Sequence, residues 1–147
     1  MTSEQMVVFR LGDEEYAVSI TQVKEIICYK GANKLPNMPD YLEGIINLRG
    51  KIIPVVDLAK RFRLIPEIAK GKQAVIVETM GMEVGVVVDE VTEVLMLDDG
   101  AIEPASMMTH AGAFLRGIGK QEERLMIILD LDKLFRQEEQ ELLQFVG

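Results

Sequence analysis

The chain has 147 residues, 48% of them hydrophobic and 27% charged, with a formal net charge of −8. This is enough for one domain with a substantial core. The negative charge argues against duplex nucleic acid and anionic membranes, which bind basic surfaces. No apolar run reaches the ~18 residues of a transmembrane helix, and the N-terminus lacks the pattern of a signal peptide. Since a single cysteine cannot form an internal disulfide, we expect a cytoplasmic protein.

The first third of the chain predicts short β-strands joined by turns. Apolar patterning favours strands over residues 6–11, 16–20 and 23–28. The last of these ends in Cys28, which we expect to be a buried, inert thiol. Residues 29–40 carry two prolines, a glycine and two asparagines, so we predict a loop there.

Residues 43–58 have the pattern of a β-hairpin. Two apolar, β-branched runs flank the polar turn Arg49-Gly50-Lys51, and glycine permits the turn. Pro54 removes a backbone donor from the second run, which predicts an edge strand or a bulge. Asp57 is placed to cap a short helix over 58–64. The hairpin therefore presents Arg49 at its tip.

After a connector at residues 65–72, the pattern begins again. At an offset of 68 residues, apolar and acidic positions recur in the same order: Val75 falls on Val7, Val86 on Val18, Val91 on Val23, Glu93 on Glu25 and Val94 on Ile26. At an offset of 73, the match continues through the hairpin and helix: Gly117 falls on Gly44, Ile118 on Ile45, Asp130 on Asp57, Lys133 on Lys60 and Phe135 on Phe62. This ordered series predicts a structural duplication.

The duplication predicts a mainly β fold. Short strands separated by glycine turns favour two small barrels pressed together, each with about five strands and a closing helical turn. We place both in a single domain over 1–147, with one lobe at about 6–66 and the other at about 73–135. An amphipathic helix is predicted at about 137–146, because leucine and phenylalanine recur there among polar residues.

The repeat also separates residues needed by the scaffold from those available for recognition. Asn47, Arg49 and Gly50 align with residues of a different kind: Lys120, Glu122 and Glu123. Because the second copy manages without them, we predict a recognition role for Arg49. Glu25 and Glu93 are present in both copies, so we expect them to be structural and to pair with a neighbouring lysine.

Clusters typical of catalytic or metal sites are missing from the sequence. His110 is the only histidine, and with one cysteine the chain cannot supply a zinc site or a nucleophilic triad. We therefore expect no enzymatic activity, no metal and no cofactor. A basic cluster at Lys60, Arg61 and Arg63 is either a solvated helix face or a guide for an acidic partner.

Five motifs in order make the chain resemble the CheW family, the coupling proteins of bacterial chemotaxis: residues 11–16 (LGDEEY), 23–26 (VKEI), 44–50 (GIINLRG), 54–58 (PVVDL) and 85–89 (GVVVD). The resemblance implies two five-stranded SH3-like barrels and no enzymatic activity. It also implies a cytoplasmic adaptor, monomeric alone, that is recruited to membrane-associated receptor arrays. There it bridges chemoreceptor signalling tips and the regulatory domain of the histidine kinase CheA.

The resemblance also implies roles for particular residues. Receptor binding falls on Arg49 with Asn47, Gly50 and Glu25, although the repeat argues for a structural Glu25. Kinase binding falls near Val23 and Gly44, where a scaffold role competes because both recur in the second copy. A second kinase contact falls in the region of Glu103, Met107 and Met108.

Two other readings stay open. Arg49 could clamp a carboxylate or phosphate in a small-ligand or anion-binding module, which would require a convergent polar pocket. Alternatively, the chain could be a detached piece of a kinase or of a CheW–receiver fusion; the end of the chain at Gly147 without a receiver pattern argues against the fusion.

Overall fold

The computed structural model describes residues 2–62, 72–104 and 114–135. The described residues form eleven strands and two four-residue α-helices: β1 Ser3–Leu11, β2 Glu14–Ser19, β3 Val23–Cys28, β4 Leu42–Leu48, β5 Lys51–Asp57, α1 Leu58–Arg61, β6 Gln73–Thr79, β7 Met82–Val88, β8 Glu90–Asp98, β9 Ile102–Pro104, β10 Leu115–Gln121, β11 Arg124–Leu129 and α2 Leu131–Leu134. None of the helices in these ranges has the length and apolar character needed to cross a membrane. The predicted helix at 137–146 lies outside the described residues.

The strands form two sheets, which confirms the predicted mainly β fold of two small barrels. One sheet has five strands in the order β3-β6-β7-β5-β4, and the other has six in the order β8-β1-β2-β11-β10-β9. In each sheet a parallel pair joins two antiparallel hairpins: β5 runs parallel to β7, and β11 runs parallel to β2.

Each sheet contains strands from both copies of the repeat. The first hairpin, β1–β2, pairs with β8 and β11 of the second copy, while β6–β7 pairs with β3 and β5 of the first. The segments 6–66 and 73–135 therefore describe the repeated sequence units but not the two sheets. This corrects the expectation that each lobe is contiguous. The physical reason is that both copies offer equivalent strand edges, so a hairpin fits the other copy as well as its own.

The repeated positions have equivalent structural roles. Asp57 and Asp130 cap α1 and α2 by accepting from the backbone N–H groups of Lys60 and Lys133, at 3.2 and 3.1 Å, as the sequence predicts for Asp57. The N–H group of Asp57 donates to the carbonyl of Tyr41, and the second copy repeats this bond. The two capped turns therefore close their hairpins in the same way.

Apolar side chains from both sheets share the main core. It includes Phe9 and Tyr16 of the six-stranded sheet and Val75 and Val86 of the five-stranded sheet, all of them buried. A second cluster, containing Met6, Leu97, Met126 and Ile128, fills the six-stranded barrel itself. β7 is the central strand of the five-stranded sheet. Its consecutive valines are therefore buried on both faces, as a strand covered on two sides requires.

Two local expectations are wrong. Of the two environments predicted for Pro54, the edge is wrong, because β5 lies between β7 and β4. The bulge is present nearby, since the register of the facing strand β4 shifts immediately after Leu42. Ile45, opposite Pro54, directs its backbone N–H and carbonyl to Asn33. The two residues therefore form a non-hydrogen-bonded pair in which β4 needs no donor from proline. Cys28 is exposed, because β3 is an edge strand whose alternate residues face solvent.

Candidate docking site around Arg49

A two-residue turn presents Arg49 at the tip of the β4–β5 hairpin. Leu48 pairs with Lys51, and the two residues between them, Arg49 and Gly50, have φ values of 52° and 88°. Positive φ at both central positions defines a type I′ turn, whose twist matches that of the flanking strands. Gly50 adopts this region without cost, whereas an arginine is rarely found there. The strand twist therefore places Arg49 in a left-handed conformation.

The Arg49 guanidinium forms an ion pair with Glu25 on β3. The arginine side chain is 70% exposed and the glutamate side chain 31%, so the pair lies at the surface and not inside a barrel. The sequence argument expected a lysine partner for Glu25, but neighbouring Lys24 pairs with Glu78 instead, at 3.4 Å. The partner of Glu25 is Arg49, which lies 24 residues further along the chain and reaches Glu25 across the sheet edge. Nearness in the sequence therefore did not predict this pair. The ion pair brings together two predicted receptor-binding residues.

A second ion pair stabilises the base of the same turn. The Nζ atom of Lys51 lies 2.7 Å from the Glu83 carboxylate on β7. The hydrogen bond from Lys51 lowers the pKa of Glu83. The same hydrogen bond raises the pKa of Lys51. The first hairpin therefore uses two cations for two carboxylates.

The second hairpin neutralises the equivalent carboxylates with one residue. Arg124 donates to Glu15 at 2.6 and 3.2 Å and to Glu93 at 2.9 Å. In the repeat, Glu15 corresponds to Glu83 and Glu93 to Glu25. Hydrogen bonds to these two glutamates raise the pKa of Arg124. The residue at the position of Arg49 is Glu122, which also has a positive φ of 57°.

A groove of about 480 Å³ lies beside the turn. Residues 27–33 line one side and residues 45–48 the other. The groove therefore separates β3 and β4, the two edge strands of one sheet. The groove thus lies within a single barrel. Its lining mixes apolar residues with polar ones: Ile27, Ile45, Leu48, Asn33 and Asn47. This mixture suits an elongated partner surface.

The predicted kinase-contact residues lie in different environments. Val23 is half-buried and packs against the main core. Gly44 is buried, and a Cβ atom there would lie 2.0 Å from the carbonyl oxygen of Asn33. Glu103 is exposed on β9 and forms an ion pair with Lys120 at 2.5 Å. Met107 and Met108 lie outside the described residues. Gly44 therefore has a clear role in packing, as the repeat suggested.

The basic cluster on α1 does not form an unpaired positive patch in the described residues. Lys60 donates to Glu43 at 3.0 Å, and the Arg61 guanidinium lies 5.6 Å from the centre of the Tyr41 ring. Arg63 lies outside the described residues. Tyr29 also donates to Glu43, at 2.9 Å.

This Glu43 network is a feature that the sequence argument missed. Burial disfavours the charged form of Glu43, but hydrogen bonds from Lys60 and Tyr29 outweigh it and lower the pKa of the carboxyl. Burial and the Glu43 hydrogen bond raise the pKa of Tyr29. The sequence signal that could have predicted this network is Glu43 itself, a charged residue within an otherwise apolar strand. Within the described ranges, no three His, Cys, Asp or Glu side chains gather into a candidate metal site.

Comparison with known proteins gives consistent matches. The family described as "CheW-like domain" matches residues 5–139. The chain is 38% identical to the chemotaxis protein CheW of Klebsiella aerogenes, covering 98% of this chain and 89% of the relative. It is 36% identical to CheW of Bacillus subtilis, covering 93% and 90%. The crystal structure of scaffolding protein TtCheW from Thermoanaerobacter tengcongensis superposes with a TM-score of 0.86 at 39% identity, covering 94% and 96% of the two chains.

Proposed function

Since the chain belongs to the CheW-like family, we propose that it couples the cytoplasmic tips of chemoreceptors to the histidine kinase CheA. The chain is a chemotaxis adaptor and not an enzyme. The proposed coupling places it in the cytoplasm, where receptor arrays recruit it to the membrane surface. It acts as a monomer that offers one surface to the receptor and others to the kinase regulatory domain.

The observation that carries the receptor assignment is the exposed Arg49 at a turn that the scaffold builds elsewhere without arginine. Its ion pair with Glu25 leaves 70% of the side chain accessible. A surface ion pair of this kind contributes ~0–1 kcal/mol to stability, so folding alone gives little reason for an arginine there. Arg49, Gly50 and Glu25 form the proposed receptor surface, and Asn47 lies beside them in the lining of the groove.

The proposed kinase contacts use both barrels. One contact lies near Val23 and Gly44, and the other in the region of Glu103, Met107 and Met108. Exposed apolar side chains occur at equivalent positions in the two copies: Ile26 and Ile52 in the first, Val94 and Leu125 in the second. Exposed apolar side chains provide contact area that a protein partner can bury.

The alternative role of an anion-binding module has weaker support. Glu25 already occupies the Arg49 guanidinium, and Glu83 lies close enough to the same turn to pair with Lys51. An anion would have to compete with these carboxylates. The groove beside Arg49 suits a protein surface better than a small charged ligand.

The test is co-sedimentation with receptor signalling fragments, with binding to the CheA regulatory domain measured separately. We expect Arg49→Glu to reduce receptor capture at least tenfold, because it reverses the charge of the exposed side chain and places it beside Glu25. The melting temperature should change little. The matched control is Arg10→Glu, since Arg10 likewise forms a surface ion pair, with Glu90 at 3.3 Å.

The outcomes separate recognition from folding. Loss of receptor capture by the folded Arg49→Glu variant, with CheA binding retained, supports the assignment. Equal capture by the Arg49→Glu variant and the unmodified chain contradicts it. Unfolding of Arg49→Glu but not of Arg10→Glu would assign Arg49 to the scaffold instead.

A further inference from the structure

The conformation that displays Arg49 is intrinsically unfavourable. A left-handed backbone is unfavourable for a non-glycine residue, and Arg49 has a φ of 52°. Type I′ turns usually carry asparagine or glycine at this position, because these residues tolerate positive φ. Glu122 and Met80 have similar φ values of 57° and 50°, so a left-handed residue does not by itself require a cap. At Arg49, a local contact is needed to fix the direction of the displayed side chain.

Asn47 supplies such a contact. Its Oδ1 atom accepts a hydrogen bond of 2.9 Å from the backbone N–H of Gly50. This bond spans three residues and encloses Arg49. A side-chain oxygen that accepts from the turn backbone replaces a backbone acceptor and stabilises the turn. The carboxamide thus acts on the segment that carries the guanidinium.

The second copy lacks this cap. Lys120 occupies the place of Asn47 in the repeat, and its Nζ atom donates to Glu103 at 2.5 Å. The turn there presents Glu122, which makes no ion pair among the described residues. The side-chain cap and the displayed arginine therefore occur together in the first hairpin and are both replaced in the second.

We propose that Asn47 is a positioning residue, which contributes to receptor recognition by holding Arg49 in its left-handed turn and not by touching the receptor. This inference rests on the proposed function of Arg49. The cap fixes the peptide between Arg49 and Gly50, and so the direction in which the arginine side chain leaves the hairpin. From that direction the guanidinium meets Glu25 across the sheet edge. Without the cap, the flexible Gly50 allows other directions.

The test is a double-mutant cycle with Asn47→Ala, Arg49→Ala and the double variant, using the full chain and receptor signalling fragments. A neutral hydrogen bond contributes about 0.5–1.5 kcal/mol, so we expect Asn47→Ala to weaken binding about twofold to tenfold. In the Arg49→Ala background, Asn47→Ala should cause no further loss. Additive losses would show direct contact between Asn47 and the receptor and would overturn the proposal.

Two variants control the cycle. Asn47→Asp keeps the acceptor oxygen and should restore most of the binding that Asn47→Ala loses. Lys120→Ala changes the equivalent position of the second hairpin and should leave receptor binding unchanged. Equal binding by Asn47→Ala and the unmodified chain would also overturn the proposal. Melting temperatures of all variants identify any that lose binding by unfolding.

A readout without the receptor separates this inference from the proposed function. The Nε–Hε NMR signal of Arg49 reports the order of its guanidinium beside Glu25. We expect Asn47→Ala to shift or broaden this signal and Asn47→Asp to preserve it. If Arg49→Ala leaves receptor binding unchanged, the proposed function fails at this site. In that case a changed signal in Asn47→Ala still supports positioning, and an unchanged signal overturns it.

Discussion

The β4–β5 and β10–β11 hairpins occupy equivalent places in the two sheets but distribute positive charge differently. In the second hairpin, Arg124 alone holds Glu15 and Glu93. In the first, two residues form the equivalent ion pairs: Lys51 pairs with Glu83, and Arg49 pairs with Glu25 from the turn. Each barrel thus neutralises an equivalent pair of glutamates. The six-stranded barrel uses one cation for its pair, and the five-stranded barrel uses two.

This difference separates the requirements of the fold from those of recognition. A guanidinium has enough donors to serve two carboxylates, whereas an ammonium acts as a compact single charge. With lysine at the strand position, the first hairpin leaves Glu25 to a residue at the exposed tip. The fold thus tolerates either arrangement, and only the first places a cation where a partner can reach it.

The largest expected effect tests what the hairpins share. Gly44→Ala should lower the free energy of unfolding by about 3 kcal/mol or more, because its φ of 137° strains a Cβ atom that would also meet the Asn33 carbonyl at 2.0 Å. Gly117→Ala should cost less, since Gly117 has no positive φ and only the close contacts with the Glu103 carbonyl and the Ile102 side chain oppose it. Denaturant titration measures both.

The matched control for these glycine variants is Gly100→Ala, where a Cβ atom would meet nothing within 4 Å. This variant should unfold at the same denaturant concentration as the unmodified chain. A Gly44→Ala variant that is as stable as Gly100→Ala would show that the loop at Asn33 yields easily. The close approach would then have no structural importance.

A smaller effect tests the unequal division of charge. Arg124→Ala removes the partner of two glutamates and should destabilise the protein by about 1 kcal/mol, which lowers the melting temperature by about 2–4 °C. Lys51→Ala removes the partner of one glutamate and should have a weaker effect. Thermal unfolding of the two variants checks the order. A larger loss for Lys51→Ala would mean that the second hairpin does not depend on its shared arginine.

The smallest effect concerns acid sensitivity. Hydrogen bonding from Arg116 lowers the pKa of Glu4 in the six-stranded sheet, and the bonds from Lys60 and Tyr29 lower that of Glu43 in the five-stranded sheet. A lowered carboxyl pKa contributes stability that is present above the unfolded value of 4.5 and is lost as the pH falls through the folded value.

We therefore expect stability to decline as the pH falls below about 4.5. Glu4→Gln and Glu43→Gln should each make that decline shallower, because each removes one group that titrates on unfolding. The measurement is the denaturation midpoint as a function of pH for both variants and the unmodified chain. An unchanged slope in either variant would contradict the role given to that glutamate.

Local sequence signals predicted the strands and caps well. The span predicted for β3 agrees with the structure, and Asp57 caps α1 through the predicted bond. These features depend on contacts between near neighbours in the chain. The partner of Glu25 was not predictable in this way, because Arg49 reaches it across a sheet edge. The exposure of Cys28 also depends on which strand lies at the edge.

The main feature that the sequence did not predict was which strands pair with each other in the two sheets. Periodicity located the β1–β2 and β6–β7 hairpins, and the repeat showed that they are alike. That likeness is also the obstacle, because two similar hairpins satisfy the same strand edges and the pattern does not distinguish within-copy from between-copy pairing. The structure shows pairing between copies.

The exchanged pairing has a consequence for synthesis. The five-stranded sheet uses only β3 to β7, so it can be assembled once Val88 has left the ribosome. The hairpin β1–β2 emerges earlier, but its partners β8 and β11 follow much later and end at Leu129. At about 5–20 residues per second, this hairpin waits several seconds with its strand edges unpaired. The earliest segment to be made is thus among the last to complete its pairing, which gives chaperones an interval in which to bind it.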